Sequence, residues 1–429
     1  MDFAHSAQTV ELLHRLQRFM DRYVLPHNAA WHQAVRQGQY PPPFLDDLKT
    51  LAREEGLWNL FLPTLREDEP GTRLDSLQYA PLAEVMGRLH WASEVFNCSA
   101  PDTGNMELLH RFATADQRRQ WLQPLLEGQM RSAFGMSEPD VASSDPTNLQ
   151  TTVRRVGDVL VLHGRKWFIT GAADPRCRLL IVMARNEGDD TGDPHRQHSM
   201  VLVPMDSPGL EVLRNISVVH LHAPEGHCEI VLRGVRVPAD QLLGGWGEGF
   251  AMAQARLGPG RVHHCMRTIG QCELALEMAA ERALERRSFG KYLADQANVQ
   301  DWLATSRLEI DQARLLVLQC AWLLDHPQQA SAALLRARVA GIKVVAAHLQ
   351  TRVVDRAMQV FGAMGLSPDT PLAQFWTWGR ALHLLDGPDE VHLRSIARHE
   401  LAQARERMGA SSAYFTTPEQ LNTPPHIDP

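Results

Sequence analysis

The strongest constraint on this chain is that its hydrophobic period changes twice. Over residues 10–20, Leu12, Leu13, Leu16, Phe19 and Met20 recur at three and four, the spacing of one helix face. After the Pro41-Pro42-Pro43 break the pattern resumes over 44–55 with Leu45, Leu48 and Leu51, and Pro43 suits a first helical turn, where a missing N–H costs nothing. Past Gly128 the character changes. Residues 153–169, 179–184, 199–204 and 229–237 are β-branched runs bounded by turn residues, which predicts strands. The polar stretch 185–197 reads as an exposed loop. From Gly249 the helical period returns over 266–286, 299–324 and 330–362, as packed bundle helices require. This order predicts an α+β chain with a helical domain over 1–132, a β-domain over 133–243 and a helical bundle over 244–410. The proline-bearing tail, 411–429, has little to bury and is expected to be loose or packed on a partner. Ligand sites are expected at the seams between the domains.

Composition narrows the function classes. The net charge of −7 argues against a general nucleic-acid binder, although a local basic site for a phosphate-bearing ligand stays open. The cysteines at 98, 177, 228, 265, 272 and 320 form no C-x-x-C pair, which argues against a disulfide framework or a zinc cage and fits a reducing compartment. The start has no basic and then apolar leader, and no apolar run reaches the ~18 residues of a membrane span. The expectation is a cytoplasmic protein with no membrane span.

Six segments could carry chemistry. In AFGMSEPDVASSDPTN, residues 133–148, the hydroxyls of Ser137, Ser143 and Ser144 could hold a ligand edge, though Ser, Asp and Pro are also ordinary turn formers. In GRKWFITGAAD, residues 164–174, two aromatics at a strand end could shield a planar cofactor or simply pack a core. In LGPGRVHHCMR, Arg261 follows Gly-Pro-Gly near a supposed helix start, where a cation and free amides suit an anion, or where it merely closes a turn. His263 and His264 are adjacent, point to different sides of a helix and make a poor metal pair. ALERRSFGK, residues 283–291, reads as a C-cap with basic residues, or as a pyrophosphate-binding arginine. QVFGAMG, residues 359–365, holds glycines that end a helix or admit a ligand. In LLDGPDEVH, residues 384–392, Asp386 is a turn aspartate or a carboxylate base between apolar helices, where burial would raise its pKa. His220, His222 and His227 look metal-like but lack a matching carboxylate or cysteine frame, so no metal is expected.

Taken in this order, the segments resemble the acyl-CoA dehydrogenase family over residues 1–408. The subgroup that includes family members ten and eleven shows patterns similar to SEPDVASSD, HAPEGHCEI, RLGPGRVHHCMRTIG and DGPDEVH. The resemblance implies an N-terminal helical domain, a central β-domain and a C-terminal four-helix bundle. It further implies FAD, an acyl-CoA substrate, a homodimer or homotetramer, and an electron-transfer flavoprotein as acceptor. The reaction it implies removes the α-proton with a carboxylate and the β-hydrogen as hydride to flavin N5, giving a trans-2-enoyl-CoA. Carried over, Asp386 is the base, with its backbone N–H on the thioester carbonyl. Ser137, Ser144, Phe168, Thr170 and Pro388 meet the flavin. Arg286, Ser288 and Phe289 reach the FAD of a neighbouring subunit, Gln296 is a further FAD contact, and Gln359 with Gly362 or Ala363 holds the adenine or pyrophosphate end. Ser143 and Arg261 lie on the substrate's side.

The chain departs from the family pattern at several points. The first motif is one residue longer between Glu138 and Asp145. A family glutamine falls at Ala297, with Gln296 beside it. The base is aspartate where glutamate is usual, and the alternative base position of some branches is here Gly260, which cannot act. An aspartate base also occurs in nitroalkane oxidase, the rival within enzymes. A flavin-free, silent scaffold is the rival outside them, against which Phe168, Thr170, Arg286 and Asp386 all argue.

Overall fold

A computed structural model describes residues 4–188 and 192–417. The first part of the chain is helical: α1 (Ala7–Phe19), α2 (Asn28–Arg36), α3 (Leu45–Glu54), α4 (Ser76–Gly87), α5 (Ala92–Val95), α6 (Asp102–Phe112), α7 (Ala115–Gln117) and α8 (Gln123–Leu126). Polar caps set several starts. The Ser6 hydroxyl accepts from the Thr9 amide at 3.2 Å, and Asp75 and Gln78 form a reciprocal capping box before α4. Leu12, Leu16, Phe19, Leu45 and Leu48 all enter one buried cluster, as their spacing predicts.

The strands are β1 (Arg131–Gly135), β2 (Thr152–Val156), β3 (Val159–Thr170), β4 (Cys177–Asn186), β5 (His198–Pro204), β6 (Leu210–Asn215), β7 (His227–Pro238) and β8 (Leu242–Leu243). They form one sheet in the order β6-β7-β3-β2-β4-β5-β8, with β1 parallel to β4. The run expected as one strand over 153–169 is a hairpin instead. Gly157, at φ +61, turns β2 back antiparallel onto β3. On β4 the two faces part company by the period of two. Leu179, Ile181 and Met183 join the helical core, while Leu180, Val182 and Ala184 join the sheet's own core. A sheet buried on both faces explains the unbroken apolar run there.

The last part comprises α9 (Gly249–Glu285), a short hairpin of β9 (Arg287–Ser288) and β10 (Lys291–Tyr292), α10 (Ala297–Asp325), α11 (Ala332–Phe361), α12 (Leu372–Leu382) and α13 (Asp389–Glu406). Helix α9 packs on α10 and α11 and also on α4. At that crossing a Cβ on Gly270 would stand 1.8 Å from the Glu84 carbonyl oxygen, and one on Gly87 would stand 2.2 Å from that of Arg267. Glycine on both helices therefore lets the bundle meet the N-terminal domain at backbone contact. A short 3₁₀ turn, Ala410–Tyr414, follows α13, and the rest of the tail expectation, 418–429, lies outside the described residues.

The seam between the helical domain and the sheet is ionic. Glu94 of α5 meets Lys49 at 3.0 Å, Arg131 at 3.1 Å and Arg176 at 2.7 Å, all largely buried. Arg131 also bonds Asp102 of α6.

Candidate active site

Asp386 lies in the loop between α12 and α13. It adopts φ 53, and Gly387 after it φ 102. Aspartate visits this left-handed region more readily than most residues because its short carboxylate can bond locally. Two cations and one dyad hold the loop, and a third cation, Arg256, lies nearby. Arg261 Nε donates to the Asp386 carbonyl at 2.8 Å. Lys343, fully buried on α11, donates to the Leu382 carbonyl and, at 3.4 Å, to that of Gly387. His383 Nδ1 pairs with the Asp389 carboxylate at 2.5 Å. Arg256, four residues before Gly260, lies with its guanidinium 4.0 Å over the Phe134 ring and donates to Asn105 at 2.9 Å. Burial pulls Arg256, Arg261 and Lys343 below their ordinary values, while the charge of Asp386 acts to raise each. The Asp386 carboxylate itself is 22% exposed, so it is both gathered among cations and reachable.

Arg261 does not stand near a helix start. The Gly-Pro-Gly segment and Arg261 all lie inside α9, which begins at Gly249. Helix-start amides therefore do not flank Arg261, and its guanidinium is spent on the Asp386 loop. The two adjacent histidines diverge as expected. His263 packs edge-on to Phe61 and Tyr79, 3.9 Å from Glu107, whereas His264 Nε2 lies 3.6 Å from the Asp386 carboxylate. Burial pushes the Glu107 carboxyl up to about 8 and brings His263 down to about 3, so both are neutral near pH 7.

The second part of the site is the end of β3. Phe168 takes φ 52 and is 44% exposed, its ring 5.0 Å from that of Trp167. A bulky residue held left-handed and turned outward marks a functional constraint more often than an accident. The Trp167 amide donates to the Ser137 carbonyl at 3.0 Å, which fixes the 136–144 loop beside it. Under that loop Lys166 and Glu138 pair at 2.8 Å, both buried, and Glu138 also accepts from the Gln150 and Thr151 amides. The Ser143 hydroxyl braces the same loop by accepting from the Glu138 amide at 2.9 Å, while Ser144 is exposed. Thr170 bonds His227 at 3.0 Å, and the His227 ring meets Trp378 of α12 at 5.7 Å. Since α12 runs into the Asp386 loop, one helix ties the Phe168–Thr170 strand end to that loop.

The third part lies at the far end of the bundle. The 283–291 segment does hold a helix end: α9 stops at Glu285, with Arg286 as its C-cap and Arg282 in its last turn. Arg287–Ser288 and Lys291–Tyr292 then form a hairpin turned by Phe289 at φ 51 and Gly290 at φ 80. Phe289 is fully exposed at its tip, Arg286 is exposed and Ser288 half-buried. Gln296 leads into α10. Gln359, Gly362 and Ala363 are exposed at the end of α11, and Arg282 of α9 contacts Phe361 and Met364 there. Pro388 caps α13. Asp386 and Pro388 thus share one loop, Ser137, Phe168 and Thr170 share the strand end, and the hairpin group stands elsewhere.

His220 and His222 are exposed, while His227 is buried on Thr170. Among the described residues, the histidine and carboxylate side chains that do converge at ligand distance are His348, His383 and Asp389. The His383–Asp389 hydrogen bond accounts for the tighter pair. Sequence reasoning missed His264, Arg256 and Lys343. His264 carried a signal, since it falls one helical turn from Arg261. The burial of Lys343 and Arg256 shows only in three dimensions.

Models of the acyl-CoA dehydrogenase N-terminal, middle and C-terminal domains match residues 6–129, 133–235 and 247–401. The chain is 50% identical over 416 residues to a probable acyl-CoA dehydrogenase of Mycobacterium tuberculosis, covering 96% of this chain and all of that one. It is 48% identical to mouse acyl-CoA dehydrogenase family member 10, with 91% of this chain and 37% of that protein covered. For human family member 11 the values are 43%, 95% and 52%. The chain therefore spans only about a third to a half of those two relatives. A Mycobacterium abscessus structure, solved as a candidate acyl-CoA dehydrogenase, is 46% identical at a TM-score of 0.88, covering 94% of this chain and all of that one. An FAD complex of PigA shares the fold at a TM-score of 0.80 and 22% identity, covering 94% and 99%.

Proposed function

This chain belongs to the acyl-CoA dehydrogenase family, and on that premise we propose that it dehydrogenates an acyl-CoA thioester to the trans-2-enoyl-CoA with Asp386 as the α-proton base and FAD as cofactor. The observation that carries this reading is the Asp386 loop. Its main chain is clamped by Arg261 and Lys343 while its carboxylate remains accessible. A base must be held in reach of one C–H bond, and a clamped backbone with a free carboxylate meets that need.

The residues fit a flavin. The exposed, left-handed Phe168 offers a flat face, and Thr170 and the 136–144 backbone offer hydrogen-bonding groups beside it. Ser137, Ser144, Phe168, Thr170 and Pro388 would hold the ring system. When bound, FAD supplies the acceptor for the β-hydride. Asp386 takes the α-proton, and its backbone N–H bonds the thioester carbonyl, where charge develops. Arg256 and Arg261 keep that region cationic as the enolate forms. Arg286, Ser288, Phe289, Gln296, Gln359, Gly362 and Ala363 would contact the FAD of a neighbouring subunit. The exposed Phe289 supports this, because a full aromatic ring in water gains by burial in a dimer or tetramer. An electron-transfer flavoprotein would reoxidise the enzyme. No described helix is long and apolar enough to cross a membrane.

The test is spectroscopic. Purified protein is expected to carry an FAD spectrum and to bleach anaerobically with one member of an acyl-CoA panel, releasing enoyl-CoA without oxygen consumption. Bleaching by nitroalkanes with oxygen uptake would favour the oxidase reading. Failure to bind FAD at all would overturn the assignment.

A further inference from the structure

His264 is one helical turn after Arg261 on α9, and Arg267 follows one turn later. Arg267 Nη2 lies 3.2 Å from His264 Nδ1, while its Nη1 donates to the Cys98 carbonyl at 3.3 Å. A guanidinium carries only donors and stays charged. His264 Nδ1 must then be the acceptor, which places the ring proton on Nε2. That is the nitrogen facing Asp386 Oδ2 at 3.6 Å. We infer that His264 is a positioning residue for the base, a neutral imidazole whose tautomer is set by Arg267 and whose Nε2–H is aimed at the Asp386 carboxylate. The inference rests on the reading of Asp386 as the base.

At 3.6 Å the contact is longer than a hydrogen bond, and contacts of this kind tighten once substrate fills a site. The Asp386 backbone is already fixed by Arg261 and Lys343, so closing the gap needs only side-chain rotation. Engaging Oδ2 leaves Oδ1 as the oxygen that receives the substrate proton. The charged and titratable groups facing His264 are Arg267, Asp386, Lys343 and Arg256. Those facing Asp386 include Arg256, Arg261, Lys343 and His392 as well. Burial first, then Arg267, brings His264 down to about 4, which agrees with a neutral ring at working pH. The relay also reaches the N-terminal domain at Cys98, between α5 and α6.

The geometry distinguishes two conservative replacements. Glutamine can present an amide N–H where histidine has Nε2–H, whereas asparagine reaches only the Nδ1 position. In the FAD-bound enzyme, His264→Leu is expected to slow flavin reduction at saturating substrate by on the order of tenfold, the value of one hydrogen bond to a charged group. Substrate affinity should stay near wild type. H264Q should recover most of the rate and H264N should not. Imidazole ¹⁵N spectra of the protein, with or without flavin, should show His264 as the Nε2–H tautomer, untitrated above about pH 5. Arg267→Met should release that tautomer. A wild-type rate of flavin reduction in H264L, with Asp386→Asn inactive, would overturn the inference, as would an Nδ1–H tautomer. Flavin reduction by D386N would instead overturn the base reading itself. Should H264L not retain flavin, the contrast of H264Q with H264N and the tautomer decide the matter.

Discussion

At the scale of residues, the loop geometry suits an aspartate at position 386. A left-handed φ of 53 suits a short side chain that can bond its own surroundings, and asparagine shares that tolerance. Asp386→Asn should therefore keep the loop while removing the base. Gly387 is more constrained still. Its φ of 102 is one that L side chains rarely adopt, and an added Cβ would meet His392 Nε2 at 3.0 Å. Gly387→Ala is expected to strain the loop by roughly 1–3 kcal/mol. Flavin content should hold while the rate of flavin reduction falls. An unchanged reduction rate in stopped-flow measurements would show that the loop conformation is not needed.

At the scale of elements, the hairpin after α9 is the feature most open to test. Its Phe289 and Arg286 are exposed, and in the proposed function they serve the FAD of a second subunit. Arg286→Ala should weaken FAD retention, read as flavin-to-protein ratio after gel filtration, and an unchanged ratio would contradict the role. The order of helices, sheet and helices was legible because a period of 3.6 or 2 survives in the sequence wherever one face is buried. The hairpin at Gly157 was missed because β2 and β3 read as one continuous β-branched run. The β9–β10 hairpin was missed because Arg, Ser, Phe and Gly suit a helix end as well as a tight turn. Strand β6 escaped because most of its residues are exposed and leave no alternation. In the site, Asp386, Phe168 and Thr170 could be singled out by motif. Arg256 and Lys343 could not, because their burial beside Asp386 comes from helices that meet only in the folded chain, while His264 showed only as a turn's spacing from Arg261.

At the scale of the whole molecule, buried charge holds the domains together. Burial alone would raise Glu94, but Arg131, Lys49 and Arg176 outweigh it and hold the carboxyl well below its usual range. Glu138 is lowered against burial in the same way by Lys166 and two backbone amides. A carboxylate depressed on folding stabilises above its unfolded value, ~4 to 4.5, and that stability is lost as pH falls below it. Asp102, raised by burial, offsets part of the effect. The thermal midpoint should accordingly drop between about pH 5 and pH 3. Arg131→Met, which leaves Asp102 and Glu94 short of a partner, should cost roughly 3–5 kcal/mol in urea unfolding at neutral pH. A loss below the error of the method would show the seam to be held by packing alone. The account's central claim joins this scaffold to one carboxylate, so its most direct test is anaerobic reduction of the FAD-bound enzyme by an acyl-CoA substrate, wild type against Asp386→Asn. The account predicts that wild type bleaches and D386N stays yellow with equal flavin content. Full bleaching of D386N by the same substrate would contradict it.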